Sequence, residues 1–236
     1  MSGHSKWSTI KRQKGVADAK RSQVFTKLAK AISVAARTSA DPSMNFKLRL
    51  AIDRARSFSM PKDNIDRAIK KGAGDDGGAK MEEITYEGYG PSGVAFLIET
   101  VTDNRNRTGS NIRHILEKHG GRLAESGSVS WLFEQKGIFQ IPFNNNLDEL
   151  ELALIEAGAD DIKNEDGNFF VTCSPHSFDS IKNYLTKQNI TATYSNVEPT
   201  AKTSATVAEE AAHKLDDLRA VLDEDDDVTE FYDNGE

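Results

Sequence analysis

Apolar residues in the first third of the chain recur every three or four positions, which is the spacing of amphipathic helices. A first helix is predicted from Asp18, because Phe25, Leu28 and Ile32 share one side of a helix at about 100° per residue. Basic residues fall on the opposite side of the same helix. One face is therefore expected to pack, and the other is expected to be cationic.

Two further short helices are predicted from start and stop signals. Asp41 and Pro42 are typical of an N-cap and a first helical residue, with Met44 as the first inward-facing side chain of a helix that extends to about residue 56. Pro61 is expected to start a third helix, and Gly72 is expected to end it. Three amphipathic helices in succession predict an all-α N-terminal domain.

The hydrophobic period changes after the glycine-rich stretch GAGDDGGAK, residues 72–80, which is the best candidate for a domain boundary. The segments EITYEG and VAFLIETV have the pattern of strands, and GYGPSG joins them. A helix is predicted over about residues 108–118, followed by a strand at SVSWLF.

Six elements follow in the order strand, helix, strand, strand, helix, strand, which is the order of ferredoxin-like folds. They are GIFQIP, LDELELALIEAG, DDIK, NFFVTC, SFDSIKNYLTKQ and ITATYSNV. A helix with apolar residues on one face is predicted over residues 207–222, and a last strand is predicted at VTEFY. Both are expected to return to the earlier sheet and complete it, because it otherwise lacks one strand–helix unit.

These elements predict an α+β protein. A helical N-terminal domain is followed by two small α/β sandwich domains, and the third domain is inserted in the second. The predicted limits are 1–76 for the basic helical domain, 77–134 plus 203–236 for the second domain, and 135–202 for the inserted ferredoxin-like domain.

Charge is segregated along the chain. The 236 residues carry a net charge of -7, yet residues 1–74 contain 17 Lys and Arg against 5 Asp and Glu, a net charge of +12. Residues 75–236 contain 13 against 32, a net charge of -19. A basic region attached to an acidic body favours a polyanionic partner such as nucleic acid, and the acidic body can also dock the basic region on itself.

Composition favours a cytoplasmic protein with no membrane partner. The single cysteine, Cys173, excludes an internal disulfide bond and fits a reducing compartment. The longest strongly apolar run, residues 94–98, is too short to span a bilayer. Trp7 and the glycines Gly3 and Gly15 interrupt any amphipathic presequence helix at the basic start of the chain.

Two motifs resemble parts of enzyme sites, but each is explained better by a structural role. GYGPSG has the letters of a dinucleotide motif, but a strand follows it where that motif opens a helix, so a hairpin turn is predicted. Cys173 and His176 form half of a metal site that has no second half. No catalytic residue, cofactor, metal or small-molecule substrate is predicted, and the chain is expected not to be an enzyme.

The acidic loop, residues 223–227, leaves two interpretations open. It lacks the spaced ligands and the glycine of a calcium-binding loop, because Val228 stands at the sixth position. It is predicted to be a solvated loop, with a second interpretation that it repels or mimics phosphates near the binding surface.

Two arginines occur where a helix is expected to begin. Arg105 and Arg107 lie between a strand end and a helix start, and the positive end of the helix dipole disfavours cations there. They therefore need an anion nearby. Either the acidic body supplies it through an internal salt bridge, or a bound phosphate does, held by the guanidinium groups and free amides.

Residues 1–17 are predicted to form an irregular basic arm, and the first helix that follows carries charge of the same sign. Asp18 is the only acid in the first 37 residues. The predicted phosphate contacts are Lys6, Lys11, Arg12, Lys14, Lys20, Lys27 and Lys30, with Arg105 and Arg107 as a second contact on the body. Trp7 is added to this nucleic-acid-binding set, either as a side chain that stacks on a base or as an anchor that holds the arm on the helices.

Several long motifs closely resemble the YebC/PmpR family of probable transcriptional regulators. They are GHSKWSTIKRQKGVADAKRSQVFTKLAKAI, MPKDNIDRAIKKGAG, YEGYGPSGVAFLIETVTDNRNRT, GSVSWLF and EAGADD, in order along the whole chain. The resemblance implies three domains, the third inserted in the second, in bacterial cytoplasmic DNA-binding regulators. It also implies relatives that act in translation, because a mitochondrial relative activates translation of a cytochrome oxidase subunit and some bacterial members act on stalled ribosomes. Ser92 replaces a common glycine of the family in the turn.

The expected function is that of a nucleic-acid-binding regulatory protein, a DNA-binding transcriptional regulator that holds phosphates with its basic N-terminal domain. The alternative is a translation factor that binds the ribosome or ribosomal or transfer RNA. Charge segregation supports both, since each partner is a polyanion. No spacing of residues specifies a DNA sequence or identifies a helix that reads the major groove.

Overall fold

Helices and strands occupy most of the residues that the computed structural model describes, which are 18–74, 81–142, 147–165 and 167–236. The helices are α1 Asp18–Ala36, α2 Phe46–Ser57, α3 Lys62–Ala73, α4 Arg105–Lys118, α5 Leu147–Glu156, α6 Phe178–Lys187 and α7 Glu209–Glu224. The strands are β1 Glu82–Tyr89, β2 Ala95–Thr102, β3 Arg122–Ala124, β4 Phe133–Pro142, β5 Ala159–Glu165, β6 Asn168–Cys173, β7 Tyr194–Ala201 and β8 Val228–Asp233.

The first sheet has the strand order β3-β1-β2-β8, with antiparallel neighbours throughout. The segment GYGPSG forms the turn between β1 and β2, so the predicted hairpin is confirmed. Ser92 takes the left-handed conformation there, with φ of 58°, a conformation that favours glycine. The predicted return of the last strand is also confirmed, because β8 pairs with β2.

One face of the first sheet packs against α4 and α7. The buried side chains of this core come from alternate positions of the strands and from the inner stripes of both helices; they are Val94, Phe96, Ile98, Ile112, Ile115, Leu116, Leu215, Leu218, Leu222, Val228 and Phe231. The leucine stripe predicted for the last helix is thus the stripe that covers the sheet. On the other face, Leu97 and Ala95 pack with Val129 and Phe133.

The second sheet has the strand order β5-β6-β4-β7. Its elements run β4, α5, β5, β6, α6, β7, which is the predicted β-α-β-β-α-β order. The predicted α+β class, with helices followed by two α/β sandwiches, is confirmed. The stacked rings of Phe139 and Phe178, with centroids 4.6 Å apart, join a strand of this sheet to α6.

The chain forms two compact units. Among the described residues, the first unit comprises those up to Ala55, Ser59–Phe133 and Ala201–Glu236, and the second comprises Arg56–Phe58 and Glu134–Thr200. The first unit therefore holds the first sheet together with α1, α3 and α2 up to Ala55. The three-domain limits given above stay a prediction.

The start of α2 differs from the prediction. Asp41 closes a local turn, in which its Oδ1 accepts a hydrogen bond from the backbone N–H of Ser43 at 2.8 Å. The helix begins at Phe46, and Asn45 caps it by accepting from the N–H of Leu48 at 3.0 Å. Met44, predicted to face inward, is 81% exposed as a result.

The segment SVSWLF is not a separate strand. Ser130–Leu132 form a 3₁₀ turn, and the strand that follows begins at Phe133. The third strand of the first sheet is instead the short β3, Arg122–Ala124, which was not predicted. It was missed because three residues carry too little alternation to indicate a strand.

The glycines at the end of α3 have different roles from the predicted one. The helix continues to Ala73, and Gly74, with φ of 96°, forms the left-handed C-cap expected of Gly72. Gly72 instead lies where α3 crosses α1. A Cβ at this position would stand 2.1 Å from the carbonyl oxygen of Ser33 and 2.8 Å from the Cβ of Ala36.

Replacing Gly72 by alanine is expected to lower the free energy of unfolding by about 2 kcal/mol. Alanine normally favours a helix interior by about 1 kcal/mol over glycine, but here the overlap with a backbone oxygen forces α1 and α3 apart. Urea unfolding followed by circular dichroism measures the change. Gly109→Ala in α4 is the control, because its Cβ would stand 3.2 Å from its nearest neighbour, the hydroxyl of the Tyr86 side chain, and would not overlap a backbone atom. Equal stability of the two variants would contradict the close crossing.

Candidate nucleic-acid interface

The cationic face of α1 lies against the acidic loop at the end of α7. Lys27 Nζ donates to the carbonyl oxygen of Asp223 at 2.6 Å, and Gln23 Nε2 donates to that of Glu224 at 2.5 Å. Lys30 Nζ donates to the carbonyl oxygen of Asp226 at 2.6 Å. The last carbonyls of a helix lack intrahelical partners and carry partial negative charge, so these α1 side chains complete the C-terminus of α7.

Asp227 is the centre of this contact. Its Oδ1 lies 3.0 Å from Lys30 Nζ, and its Oδ2 accepts from the Thr108 hydroxyl at 2.7 Å and from an Arg107 guanidinium nitrogen at 3.2 Å. The Asp227 side chain is only 17% exposed. Burial alone would raise its pKa, but the hydrogen bonds from Thr108, Lys30 and Arg107 outweigh burial and hold the pKa below its ordinary value.

The acidic loop is also ordered from within. Asp225 Oδ1 accepts from the backbone N–H groups of Asp227 and Val228, at 2.9 and 3.2 Å. Its other oxygen accepts from Asn111 Nδ2 at 2.5 Å. A merely solvated loop, the first of the two predicted interpretations, is therefore wrong for Asp225 and Asp227. Three polar side chains of α1 and α4, those of Lys30, Arg107 and Thr108, converge on the carboxylate of Asp227. Asp227 is therefore the anion that these groups bind.

The structure at the start of α4 shows which groups Arg107, one of the two predicted arginines, binds. Asn104 caps the helix by accepting from the N–H of Arg107 at 3.1 Å. The guanidinium group of Arg107 bonds to Asp103 at 2.9 Å and to Asp227, which is the internal salt bridge weighed above. Arg105 is exposed, and within the described residues no hydrogen bond or ion pair involves its guanidinium group.

The predicted site residues therefore fall into three groups. Lys6, Trp7, Lys11, Arg12 and Lys14 lie outside the described residues, and the side chain of Lys20 is not described. Lys27, Lys30 and Arg107 are brought together at the acidic loop. Arg105 stands beside them at the start of the same helix. Phosphate binding by all of these residues stays a prediction.

Sequence reasoning missed a cationic surface on α3, defined by Arg67, Lys70 and Lys71. These residues are exposed and lie on one face of the helix, since they are spaced at i, i+3 and i+4. In the described parts of the chain their side chains have no hydrogen-bonded or ion-paired partner. The spacing could have revealed them, but cations in the last turn of a helix are also expected from the helix dipole alone.

Other basic residues of the N-terminal helices are used to hold α2 on the first sheet. Lys47 pairs with Glu83 at 2.6 Å, and Arg54 pairs with Glu230. Between these pairs, burial raises the pKa of Glu99 to about 7, an effect that the nearby Glu230 and Glu83 reinforce. The acidic body therefore docks part of the basic segment on itself, as the charge segregation suggested.

The remaining candidate chemistry has structural explanations. Cys173 is buried, and burial raises the pKa of its thiol to about 11, which makes the thiolate scarce at neutral pH. Over residues 18–74, 81–142, 147–165 and 167–236, no group of His, Cys, Asp and Glu could hold a metal ion. In the same ranges, no helix has the length and apolarity needed to cross a bilayer.

Comparison with known protein families gives a match to each of two parts of the chain. Residues 5–75 match the TACO1/YebC protein N-terminal domain, and residues 81–235 match the TACO1/YebC second and third domain. The chain belongs to the TACO1/YebC family.

Curated relatives and a solved structure agree with this assignment. A probable transcriptional regulatory protein of Desulforamulus reducens is 46% identical over 100% of this chain and 99% of its own. One from Chlorobium luteolum is 48% identical over 100% of this chain and 96% of its own. The crystal structure of the conserved hypothetical protein Aq1575 from Aquifex aeolicus is 40% identical, with a TM-score of 0.83 over 93% of this chain and 91% of that chain.

Proposed function

We propose that this protein is a non-enzymatic, nucleic-acid-binding regulator of the cytoplasm. It binds phosphates through its basic N-terminal region, as a DNA-binding transcriptional regulator does. The names of the relatives support regulation. The observation that carries nucleic-acid binding is the α3 surface, where three exposed cations have no anionic partner among the described residues of a protein whose net charge is -7. A solvated cation needs no partner, but a cluster on one helix face in a strongly basic segment favours a polyanion.

The α3 surface extends the cationic set predicted from the sequence. Arg67, Lys70 and Lys71 belong to the same segment as the arm lysines, within the net charge of +12 of residues 1–74. Arg105 supplies a further exposed cation at the start of α4. Lys27, Lys30 and Arg107 would join only by exchanging the acidic loop for phosphate. The surface and the arm are therefore proposed as the first contacts, and the cations at the loop as secondary ones.

Neutralising the α3 surface is expected to weaken nucleic-acid binding by about 10- to 100-fold and to lower the slope of log K against log salt by about 2 to 3. The variant is Arg67→Gln, Lys70→Gln, Lys71→Gln, and fluorescence anisotropy with labelled duplex DNA and structured RNA measures it. The control is Lys118→Gln, Lys187→Gln, Lys214→Gln, which removes the same charge from exposed lysines elsewhere. Equal losses in both variants would show that only net charge matters.

The alternative, a ribosome-associated or RNA-associated translation factor, uses the same cations. Co-sedimentation with ribosomes in a sucrose gradient separates the two functions. Ribosome-bound protein supports translation, whereas a free pool that crosslinks to promoter DNA supports transcription.

A further inference from the structure

Trp131 is an exposed aromatic residue in a rigid setting. Its side chain is in the first unit and is 65% exposed, although tryptophan usually contributes its large apolar area to a core. The neighbouring Val129 and Phe133 are buried beneath the first sheet and anchor the turn without it. Packing therefore does not explain why a tryptophan is held at the surface here.

Two sets of hydrogen bonds hold the indole ring and the turn that carries it. Its Nε1–H donates to the carbonyl oxygen of Ser128 at 3.0 Å. The backbone of the turn is held by Glu87, whose carboxylate accepts from the N–H groups of Gly127, Val129 and Ser130 at 2.7, 2.6 and 3.0 Å. The polar edge of the ring is thus satisfied, and the exposed part is apolar ring surface. A ring already fixed in place loses little entropy when a ligand stacks on it.

Two exposed cations contact the residues around the ring. Lys202 Nζ donates to the backbone oxygen of Trp131 at 2.8 Å and keeps two further N–H donors. The hydroxyl of Tyr89 donates to the same Ser128 oxygen at 3.2 Å, and the Arg122 guanidinium lies 5.0 Å from the centre of the Tyr89 ring. Arg122 and Lys202 are both exposed.

We propose that Trp131 is a stacking platform for an unpaired nucleobase, with Arg122 and Lys202 binding the phosphates of the same strand. The proposal rests on the proposed nucleic-acid-binding function and names the form of nucleic acid that this site accepts. A fixed aromatic face with cations nearby is the combination by which proteins bind single strands. Bases inside a duplex are stacked on one another and cannot reach such a face, so the site selects unpaired RNA or DNA.

Fluorescence of Trp131 tests stacking directly. In a Trp7→Phe background it is the sole tryptophan, because the chain has two. The protein is titrated with an unstructured single strand of about 12 nucleotides, the corresponding duplex, and an abasic strand of equal length and charge. We expect the base-containing single strand to quench the emission, and the abasic strand and the duplex to leave it nearly unchanged.

Affinity measured by anisotropy tests the energetic contribution. Trp131→Ala is expected to weaken binding of the single strand by about 5- to 100-fold, with Trp131→Phe between the two, and to leave abasic-strand binding unchanged. Melting temperatures equal to that of the parent protein exclude unfolding as the cause. If Trp131→Ala and the parent protein bind the single strand with equal affinity, the stacking proposal is overturned. That result would assign the ring to another class of partner, such as a protein, and would leave nucleic-acid binding intact. No binding of any strand would overturn the proposed function itself.

Discussion

Replacing Asp227 by alanine is expected to lower the free energy of unfolding by about 2–3 kcal/mol. The substitution leaves the Lys30 ammonium without its carboxylate at a site where both side chains are 17% exposed, and it removes one acceptor from the buried Thr108 hydroxyl. Removing one partner of a buried pair costs more than the pair contributes, because an uncompensated charge remains. Arg107 adds little, since its side chain is 56% exposed and solvent screens its pairing.

The pH dependence of this effect has a definite sign. The pKa of Asp227 is lower in the folded state than in the unfolded chain, so its stabilising contribution is present above the unfolded value of about 3.9 and is lost as pH falls through the folded value. The difference in stability between parent and Asp227→Ala should therefore be constant at neutral pH and shrink below about pH 4. Chemical denaturation at a series of pH values measures it.

Asp226→Ala is the matched control for Asp227→Ala. It removes the same charge from the same loop, but the Asp226 side chain is exposed and only its backbone oxygen contacts Lys30. Its effect should stay within about 0.5 kcal/mol. Similar losses in both variants would mean that the charge of the loop as a whole, and not the contacts of Asp227, holds α1 in place.

Replacing Glu87 by alanine is expected to lower the free energy of unfolding by about 3–4 kcal/mol. The residue is 7% exposed, and its carboxylate satisfies three backbone N–H groups of the turn that carries Trp131. Hydrogen bonds to a charged acceptor contribute about 1.5–3 kcal/mol each, but water can replace the carboxylate at the exposed Gly127 and Ser130, so the main loss comes from the amide of the buried Val129, which is left unpaired. Burial raises the pKa of Glu87, but the bonds from Val129, Gly127 and Ser130 more than offset it, and the net pKa is lowered.

Urea unfolding of Glu87→Ala and Glu87→Gln measures this contribution. Glutamine restores one acceptor but directs an NH₂ group at backbone donors, so it should recover only part of the loss. Glu125→Gln, on the exposed side of the same turn, is the control and should be nearly neutral. Full recovery by glutamine would indicate that volume, and not the charged acceptor, matters at this position.

Much of the fold could be predicted because its signals are local. The hairpin at GYGPSG, the β-α-β-β-α-β order and the leucine stripe of α7 each follow from periodicity within a few residues. Where local signals competed, the prediction failed. Asp41 and Asn45 are both good caps, and the capping bond from Asn45 to Leu48 decided where α2 starts. The turn at SVSWLF depends on Glu87, about 40 residues earlier in the chain, which no local pattern reveals.

The candidate site was predicted in composition but not in arrangement. Lys27 and Lys30 lie on one face of α1, as predicted, yet their partners lie about 200 residues away in the acidic loop. Charge segregation indicated that the acidic body can hold the basic segment, without indicating which cations it holds. The α3 surface and Trp131 were missed for a different reason, since exposure and rigidity are properties of the folded chain that spacing alone does not encode.

The most direct test of nucleic-acid binding is a fluorescence anisotropy titration of the full-length protein with labelled duplex DNA and with structured RNA, at about 50 and 200 mM salt. Binding to at least one of them at the lower salt concentration, weakened by about a hundredfold or more at the higher one, is the expected result, because released counterions drive association with phosphates. The absence of binding to both at the lower salt concentration would contradict the proposed function.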